Sequence, residues 1–302
     1  MKIISLLILV SCFAFIQQIS SQTFEETKKL AEYGDAGSQT NLGYFYHTGK
    51  YVIKDYKEAV KWYTKAAEQG VANAQYNLGI CYSNGEGVIK DYKEAVKWYT
   101  KAAEQGDANA QYNLGICYSN GEGVLVNYKE AMKWYTKAAV QGDARAQNNV
   151  GICYSNGEGV IKDYKEAVKW YTKAAEQGNI DAQYSIGLCY SNGEGVVKDY
   201  KEAVKWFTKA AEQGNASAQL ALGSSYAKGE GVLIDYKEAF YWWEKAAVQG
   251  NAQAQYNVGV CYLNGDGAIK DMSMVKYWMK LSYENGYEKA KTIWEEYELW
   301  KY

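Results

Sequence analysis

The stretch "GEGVIKDYKEAVKWYTKAAEQG" occupies residues 85–106 and returns without a change at 157–178. Its tryptophan, Trp98, has counterparts at Trp62, Trp134, Trp170, Trp206, Trp242 and Trp278, each 36 residues from the next. Its last glycine, Gly106, recurs in the same phase as Gly34, Gly70, Gly142, Gly178, Gly214, Gly250 and Gly286. A fixed period without insertion marks one supersecondary module copied along the chain.

Within the stretch, Asp91 reads as an N-cap, and Glu94, three residues on, reads as the second half of a capping box. Tyr92, Ala95, Val96, Tyr99, Ala102 and Ala103 then keep a 3.6-residue period, with Lys93, Lys97 and Lys101 on another face. Gly106 ends this helix as a C′ glycine. Asp107 caps the next one, which carries Ala110, Leu114, Cys117 and Tyr118 until Gly121 and Gly123 break it. Two short helices per unit, no strand pattern and no proline predict an all-α chain, an α/α solenoid.

Gly79, Gly115, Gly151, Gly187, Gly223 and Gly259 fall inside the first helix of successive units, where glycine costs about 1 kcal/mol relative to alanine. Repetition of that cost predicts that a bulky residue of the second helix, Trp98 or Tyr99, packs on the bare backbone and ties each unit to the next. The tryptophan column is expected in the core, with Trp278 near the end contributing less.

The predicted organisation is a signal peptide at 1–21 and a capping half-helix at 22–33. Seven repeats follow over 34–285 (34–69, 70–105, 106–141, 142–177, 178–213, 214–249, 250–285), and a capping helix at 286–302. Glu26 stands where a tryptophan would, and the last segment places Ala290, Ile293, Tyr297 and Trp300 on one face. Lys2 ahead of the apolar run Ile3–Ile16, then small polar residues, has the layout of a secretory signal, too short to span a membrane. No transmembrane segment is expected in the mature chain. Leu9-Val10-Ser11-Cys12 offers a competing lipobox reading, with a lipid anchor at Cys12. Export to the periplasm or outside the cell is expected, with a lipoprotein or an endoplasmic-reticulum lumenal protein as alternatives. The formal charge of -2, with both signs interleaved, excludes the field that gathers nucleic acid.

The recurring Ala74-Gln75, Leu78-Gly79, Tyr82, Gly85, Gly87-Val88, then Asp91, Ala95, Trp98, Ala102-Ala103 and Gly106, resembles the Sel-1-like repeat family, a relative of tetratricopeptide repeats. The resemblance covers about residues 34–286 and implies a right-handed superhelical adaptor holding proteins or peptides. Departures mark units expected to be less regular: Tyr51 for the second loop glycine, Asn127 for the capping aspartate, and 271–286, which keeps Trp278 but loses the alanine pair.

Cys81, Cys117, Cys153, Cys189 and Cys261 are one repeat position, filled once by Ser225. Stacked helices place equivalent points about 8–10 Å apart, beyond the roughly 7 Å Cα separation of a disulfide. Some exported relatives staple the two helices of each repeat, which takes two cysteines per unit; this chain has one. Buried, inert thiols are expected. With His47 the single histidine and no CxxC pair, no metal and no cofactor is expected, and His47 itself is placed at a solvated helix end. No catalytic residues are assigned. Ser225-Tyr226-Ala227-Lys228 and Ser273-Met274-Val275-Lys276 match S-x-x-K, but neither S-D-N nor K-T-G accompanies them. The "GEG" segments read as turns.

If first helices line a concave side, the residues off the core stripe face a partner. These are Tyr76, Asn77 and Ile80; Tyr112, Asn113 and Ile116; Asn148, Asn149 and Ile152; Tyr184; and Tyr256 with Asn257. Tyrosine with asparagine favours broad amphipathic recognition. The function expected is a non-enzymatic exported scaffold for a protein or peptide. The competing readings are an envelope hydrolase of β-lactam or peptidoglycan-like substrates and a lumenal quality-control adaptor.

Overall fold

The computed structural model describes residues 22–301. The signal-peptide and Cys12 readings lie outside the described residues. Among those described there is no strand. Residues 22–32 form α1. There follow α2 (Ala36–Thr48), α3 (Tyr56–Glu68), α4 (Ala72–Asn84), α5 (Tyr92–Glu104), α6 (Ala108–Asn120), α7 (Tyr128–Val140) and α8 (Ala144–Asn156). Then come α9 (Tyr164–Glu176), α10 (Ile180–Asn192), α11 (Tyr200–Glu212), α12 (Ala216–Lys228), α13 (Tyr236–Val248), α14 (Ala252–Asn264), α15 (Met272–Glu284) and α16 (Lys289–Glu296). A short 3-10 turn at Leu299–Lys301 ends the described chain.

The chain divides into two units, one up to Ala146 and one from Gln147. In the first, α2 pairs with α3, α4 with α5 and α6 with α7, and α3 and α5 pack on the helix that follows them. In the second, α10 pairs with α11, α12 with α13 and α14 with α15, and α16 closes on α15. Each unit is thus a run of helical hairpins stacked in sequence order, a solenoid-like arrangement of repeats.

The termini of each helix are settled locally. Asp91 Oδ1 accepts the backbone N–H groups of Lys93 at 2.9 Å and Glu94 at 3.1 Å. The expected capping box is only half formed. The Asp91 N–H is already donated to Tyr82 O at 2.9 Å, and Glu94 turns instead to Lys97. At the other end Gly106 takes φ +97°, and the Asp107 N–H donates to Ala102 O, the Schellman closure. At the departures the irregularity is small, Asn127 accepting one backbone N–H where Asp91 accepts two. Asn127 Oδ1 caps α7 through the Glu130 N–H, Tyr51 keeps a left-handed backbone at φ 68°, and α15 runs its full length. Ser282 and Tyr283 replace the alanine pair in α15, and the Ser282 hydroxyl donates to Ala252 O at 2.7 Å.

Packing separates two roles that the sequence reading had merged. A Cβ on Gly115 would stand 2.5 Å from the ring of Tyr135, and one on Gly79 would stand 2.6 Å from Tyr99. The glycine therefore admits the tyrosine of its own hairpin, not the tryptophan and not the next unit. Trp98 instead reaches back to Ala59, Ala66 and Ala67 of α3 and to Ala74, Leu78 and Cys81 of α4. Trp134 repeats this against α5 and α6. Tryptophan joins one hairpin to the previous one, and a glycine–aromatic pair closes the hairpin, except in α14–α15, where Met279 takes the place of the ring against Gly259. Trp278 is as buried as Trp98, at 6% and 7% exposure.

A buried glutamine relay joins the same elements. Gln111 Nε2 donates to Ala103 O at 3.0 Å, and Gln111 Oε1 accepts from Gln141 Nε2 at 2.7 Å. The same pair of bonds recurs at Gln75, Gln183 and Gln219. Each relay ties a first helix to the end of the preceding second helix. Gln111→Ala removes one of the two donors to the Ala103 carbonyl and the acceptor of Gln141 Nε2, and is expected to lower stability by about 1 kcal/mol, read from urea denaturation. A loss below the error of the melt would show that the relay contributes nothing.

The ends are covered as caps should be. Phe24 and Ala31 of α1 pack on Leu42, Phe45 and Trp62. At the other end the expected face is corrected. Glu298 adopts φ +46°, which stops the helix and shifts the register. Leu299 therefore joins Val275, Met279 and Ala290 in the core, while Tyr297 and Trp300 stay exposed.

Candidate functional site

The residues assigned to a partner-facing surface lie less open than expected. Tyr76, Asn77 and Ile80 on α4, Tyr112, Asn113 and Ile116 on α6, Asn149 and Ile152 on α8, Tyr184 on α10, and Tyr256 and Asn257 on α14 are all half-buried. Asn148 is fully buried, and its Oδ1 has no hydrogen-bond partner. The cause is packing on two flanks: α4, for example, contacts both α3 and α5. Only residues such as Asn73 and Asn84 are left exposed on that helix.

The tyrosines lean on the aromatic ring of their own hairpin. The ring centroids of Tyr76 and Tyr99 are 6.1 Å apart, those of Tyr112 and Tyr135 6.0 Å, and those of Tyr184 and Phe207 6.0 Å. Burial raises the Tyr76 pKa, opposed by the Arg145 charge and a hydrogen bond with Asn113 of the next repeat. Arg145, the chain's single arginine, lies 4.4 Å from the Tyr112 ring centroid. Its guanidinium donates to Asn109 Oδ1 at 2.8 Å and pairs with Asp143 at 2.5 Å.

Asn113 and Ile116 line a recess of about 200 Å³ together with Ser83, Asn84, Lys90, Tyr92, Tyr99 and Glu122. Seventy-two residues on, in the second unit, Ser185 and Leu188 line its counterpart of about 220 Å³ with Ser155, Asn156, Lys162, Tyr164, Tyr171 and Glu194. In each the serine and the buried tyrosine hydroxyl are 3.1 Å apart, Ser83 with Tyr99 and Ser155 with Tyr171. Burial pushes Tyr99 up to about 12 despite that bond, so the hydroxyl stays neutral. The mouth carries a lysine and a carboxylate. Reading the sequence missed Lys90, Tyr92 and Glu122 here; the signal was the glutamate repeated in every "GEG", which was read only as a turn.

Cys81, Cys117, Cys153, Cys189 and Cys261 are buried and free. Burial raises their pKa values to about 11 or 12, so each keeps its proton at neutral pH. Of the two S-x-x-K serines, Ser225 is buried and donates to Ala221 O. Ser273 donates to Asp271 Oδ1 at 2.6 Å, within a helix cap. Both hydroxyls are engaged away from a nucleophile's role.

His47 is not at a solvated end. Its side chain is 20% exposed, its Nε2 is 3.1 Å from Glu86 Oε2, and its ring meets Tyr56 and Tyr63 edge-on. With Cys81 these form a group of three ligand-type atoms within 4.8 Å of one another.

Among the described residues no helix is long and apolar enough to cross a membrane. A search of curated proteins finds no match. Among solved structures, c5321 is similar over 88% of this chain, with 40% identity and a TM-score of 0.84. It is described as a protective antigen of uropathogenic Escherichia coli with an SLR fold. This chain spans 57% of that protein's length. A Sel1 repeat protein of Oxalobacter formigenes matches over 93% of this chain and 81% of its own, with 33% identity and a TM-score of 0.76. The Sel1 repeat model matches at 36–71, 72–107, 108–143, 144–179, 180–215, 216–251 and 252–287. With more than half of its length in these seven matches, the chain belongs to the Sel1 repeat family.

Proposed function

We propose that the chain is a non-enzymatic, exported scaffold whose first-helix faces and adjoining recesses hold a protein or peptide. The observation that carries this reading is repetition: two recesses 72 residues apart have one lining, a tyrosine pair, serine, asparagine, a lysine and a glutamate. A catalytic constellation is made once, whereas a surface that recurs in register suits an extended partner. Side chains with few rotamers, such as tyrosine, contact it at low entropy cost. Export rests on the layout of residues 1–21.

The test uses residues at the mouth of a recess, because Tyr112 leans on the buried Tyr135 and Ile116 is half-buried. Asn84 and Lys90 are exposed. Asn84→Arg with Lys90→Glu is expected to weaken capture of the partner from its native compartment by about tenfold or more, the equivalent of about 1.4 kcal/mol. The melting curve should not move. Undiminished capture by this variant would count against the recess as the binding surface.

A further inference from the structure

The positions between the first two repeats that match the sibling recesses differ from them at His47, in place of a serine, and at Thr48, in place of an asparagine. His47 occupies the place of Ser83 and Ser155, 36 and 108 positions further on. In the siblings that serine meets the buried tyrosine hydroxyl at 3.1 Å. In the first recess the tyrosine is Tyr63, which is fully buried with its hydroxyl lacking any hydrogen-bond partner. Glu86 Oε2 is likewise buried and makes no hydrogen bond, although His47 Nε2 stands only 3.1 Å away. Cys81 completes the set, buried under the same loop.

A fully buried tyrosine hydroxyl without a partner, beside an imidazole, a thiol and a carboxylate that converge within 4.8 Å, is not explained by packing. Buried polar groups normally find partners, and leaving them unpaired costs about 1–3 kcal/mol each. We propose that His47, Cys81 and Glu86 are the three protein ligands of a zinc-class divalent metal ion, with Tyr63 beside the remaining coordination position. Nitrogen, thiolate and carboxylate donors are the set zinc accepts, three at a time where one position stays open. At bond lengths of about 2.0–2.3 Å, neighbouring tetrahedral ligands stand roughly 3.3–3.7 Å apart. The His47–Glu86 spacing of 3.1 Å is slightly short of that and Cys81 lies within 4.8 Å of both, so small side-chain rotations would bring all three to bonding positions. Coordination releases the thiol proton of Cys81 to solvent as the thiolate–metal bond forms. One thiolate and one carboxylate then neutralise the dication, so the filled site carries no net charge into the recess. His47 belongs to the first matched repeat and Cys81 and Glu86 to the second, so the ion would clamp the first hairpin to its neighbour.

The siblings lack the imidazole, which makes His47→Ser the clean test: it installs the residue that the equivalent recesses tolerate. The full chain is titrated with Co²⁺ and competed with Zn²⁺. One equivalent of Co²⁺ is expected to bind with a thiolate-to-metal charge-transfer band in the near ultraviolet. His47→Ser should weaken binding by about 100-fold or more, beyond what loss of an outer-shell partner produces. Its metal-free melting temperature should match the parent's, and only the parent's should rise with Zn²⁺. Cys81→Ser should abolish the band and Cys117→Ser should keep it. Binding that is absent, or retained by His47→Ser, or carried by Cys117 overturns the proposal.

Discussion

Gly123→Ala is expected to destabilise the first unit by about 3–5 kcal/mol, where a left-handed alanine alone costs about 1–2 and overpacking about 1–3. Gly123 has φ +74°, and a Cβ built on it would stand 2.3 Å from the carbonyl oxygen of Tyr92 and 2.7 Å from the Lys93 nitrogen. Those atoms are backbone, at the start of α5, which the Asp91 cap holds in place. A side chain could swing aside; a capped helix terminus cannot without lifting the loop off the preceding repeat. Gly106→Ala is the control. Its φ is +97°, but a Cβ there meets nothing within 4 Å, so only the conformational cost of about 1–2 kcal/mol applies. Urea denaturation of the two variants separates strain from collision, and equal losses would mean that the loop-to-helix approach is not tight. The same reasoning explains why glycine recurs at both positions although only one of them is crowded.

Much of this was readable in advance because periodicity reports packing. The tryptophan and glycine columns, the caps and the loop glycines fixed the helix count per unit, their boundaries and the hairpin stacking. Which partner each column met was not readable. Tyr99 and Trp98 are adjacent in sequence and both aromatic, and only the direction of each side chain decides that Tyr99 covers Gly79 while Trp98 reaches α3. Gln111 stood in the repeat pattern as a letter; its buried relay exists because the Ala103 carbonyl, at a helix end, has room for a second donor beside the Gly106 N–H. How open the partner-facing set is was not readable either. One helix face was assumed free, but two flanking helices leave Tyr76, Asn77 and Ile80 half-covered. His47 was misplaced for a related reason. Counted along its own helix it lies at an end, yet the loop of the next repeat folds Glu86 over it, a contact between residues 39 positions apart.

Trp98→Ala is expected to cost about 3–5 kcal/mol, the range for removing a large aromatic from a packed core. Trp98 is 7% exposed and fills the space between Ala66 and Ala67 of α3 and Leu78 and Cys81 of α4. The alanines on the α3 side are too short to relax into the vacated volume, which puts the effect high in that range. Lys101 Nζ lies 4.1 Å from the ring centroid, so the outer face of the indole loses a cation contact as well. Trp300→Ala is the internal reference: at 54% exposure its loss should fall within about 0.5 kcal/mol, as for other surface sites. The indole also carries a buried N–H with no partner, so Trp98→Phe should recover a disproportionate share of the loss by removing that orphan along with the ring edge. Because Trp98 joins one hairpin to the previous one, its removal acts on an interface between repeats. Amide exchange at Ala66 and Ala67 should quicken more than at Ala138 and Ala139, two repeats further along. Uniform acceleration across both sites would instead mean that the first unit opens as one piece, and that its stability does not decompose hairpin by hairpin.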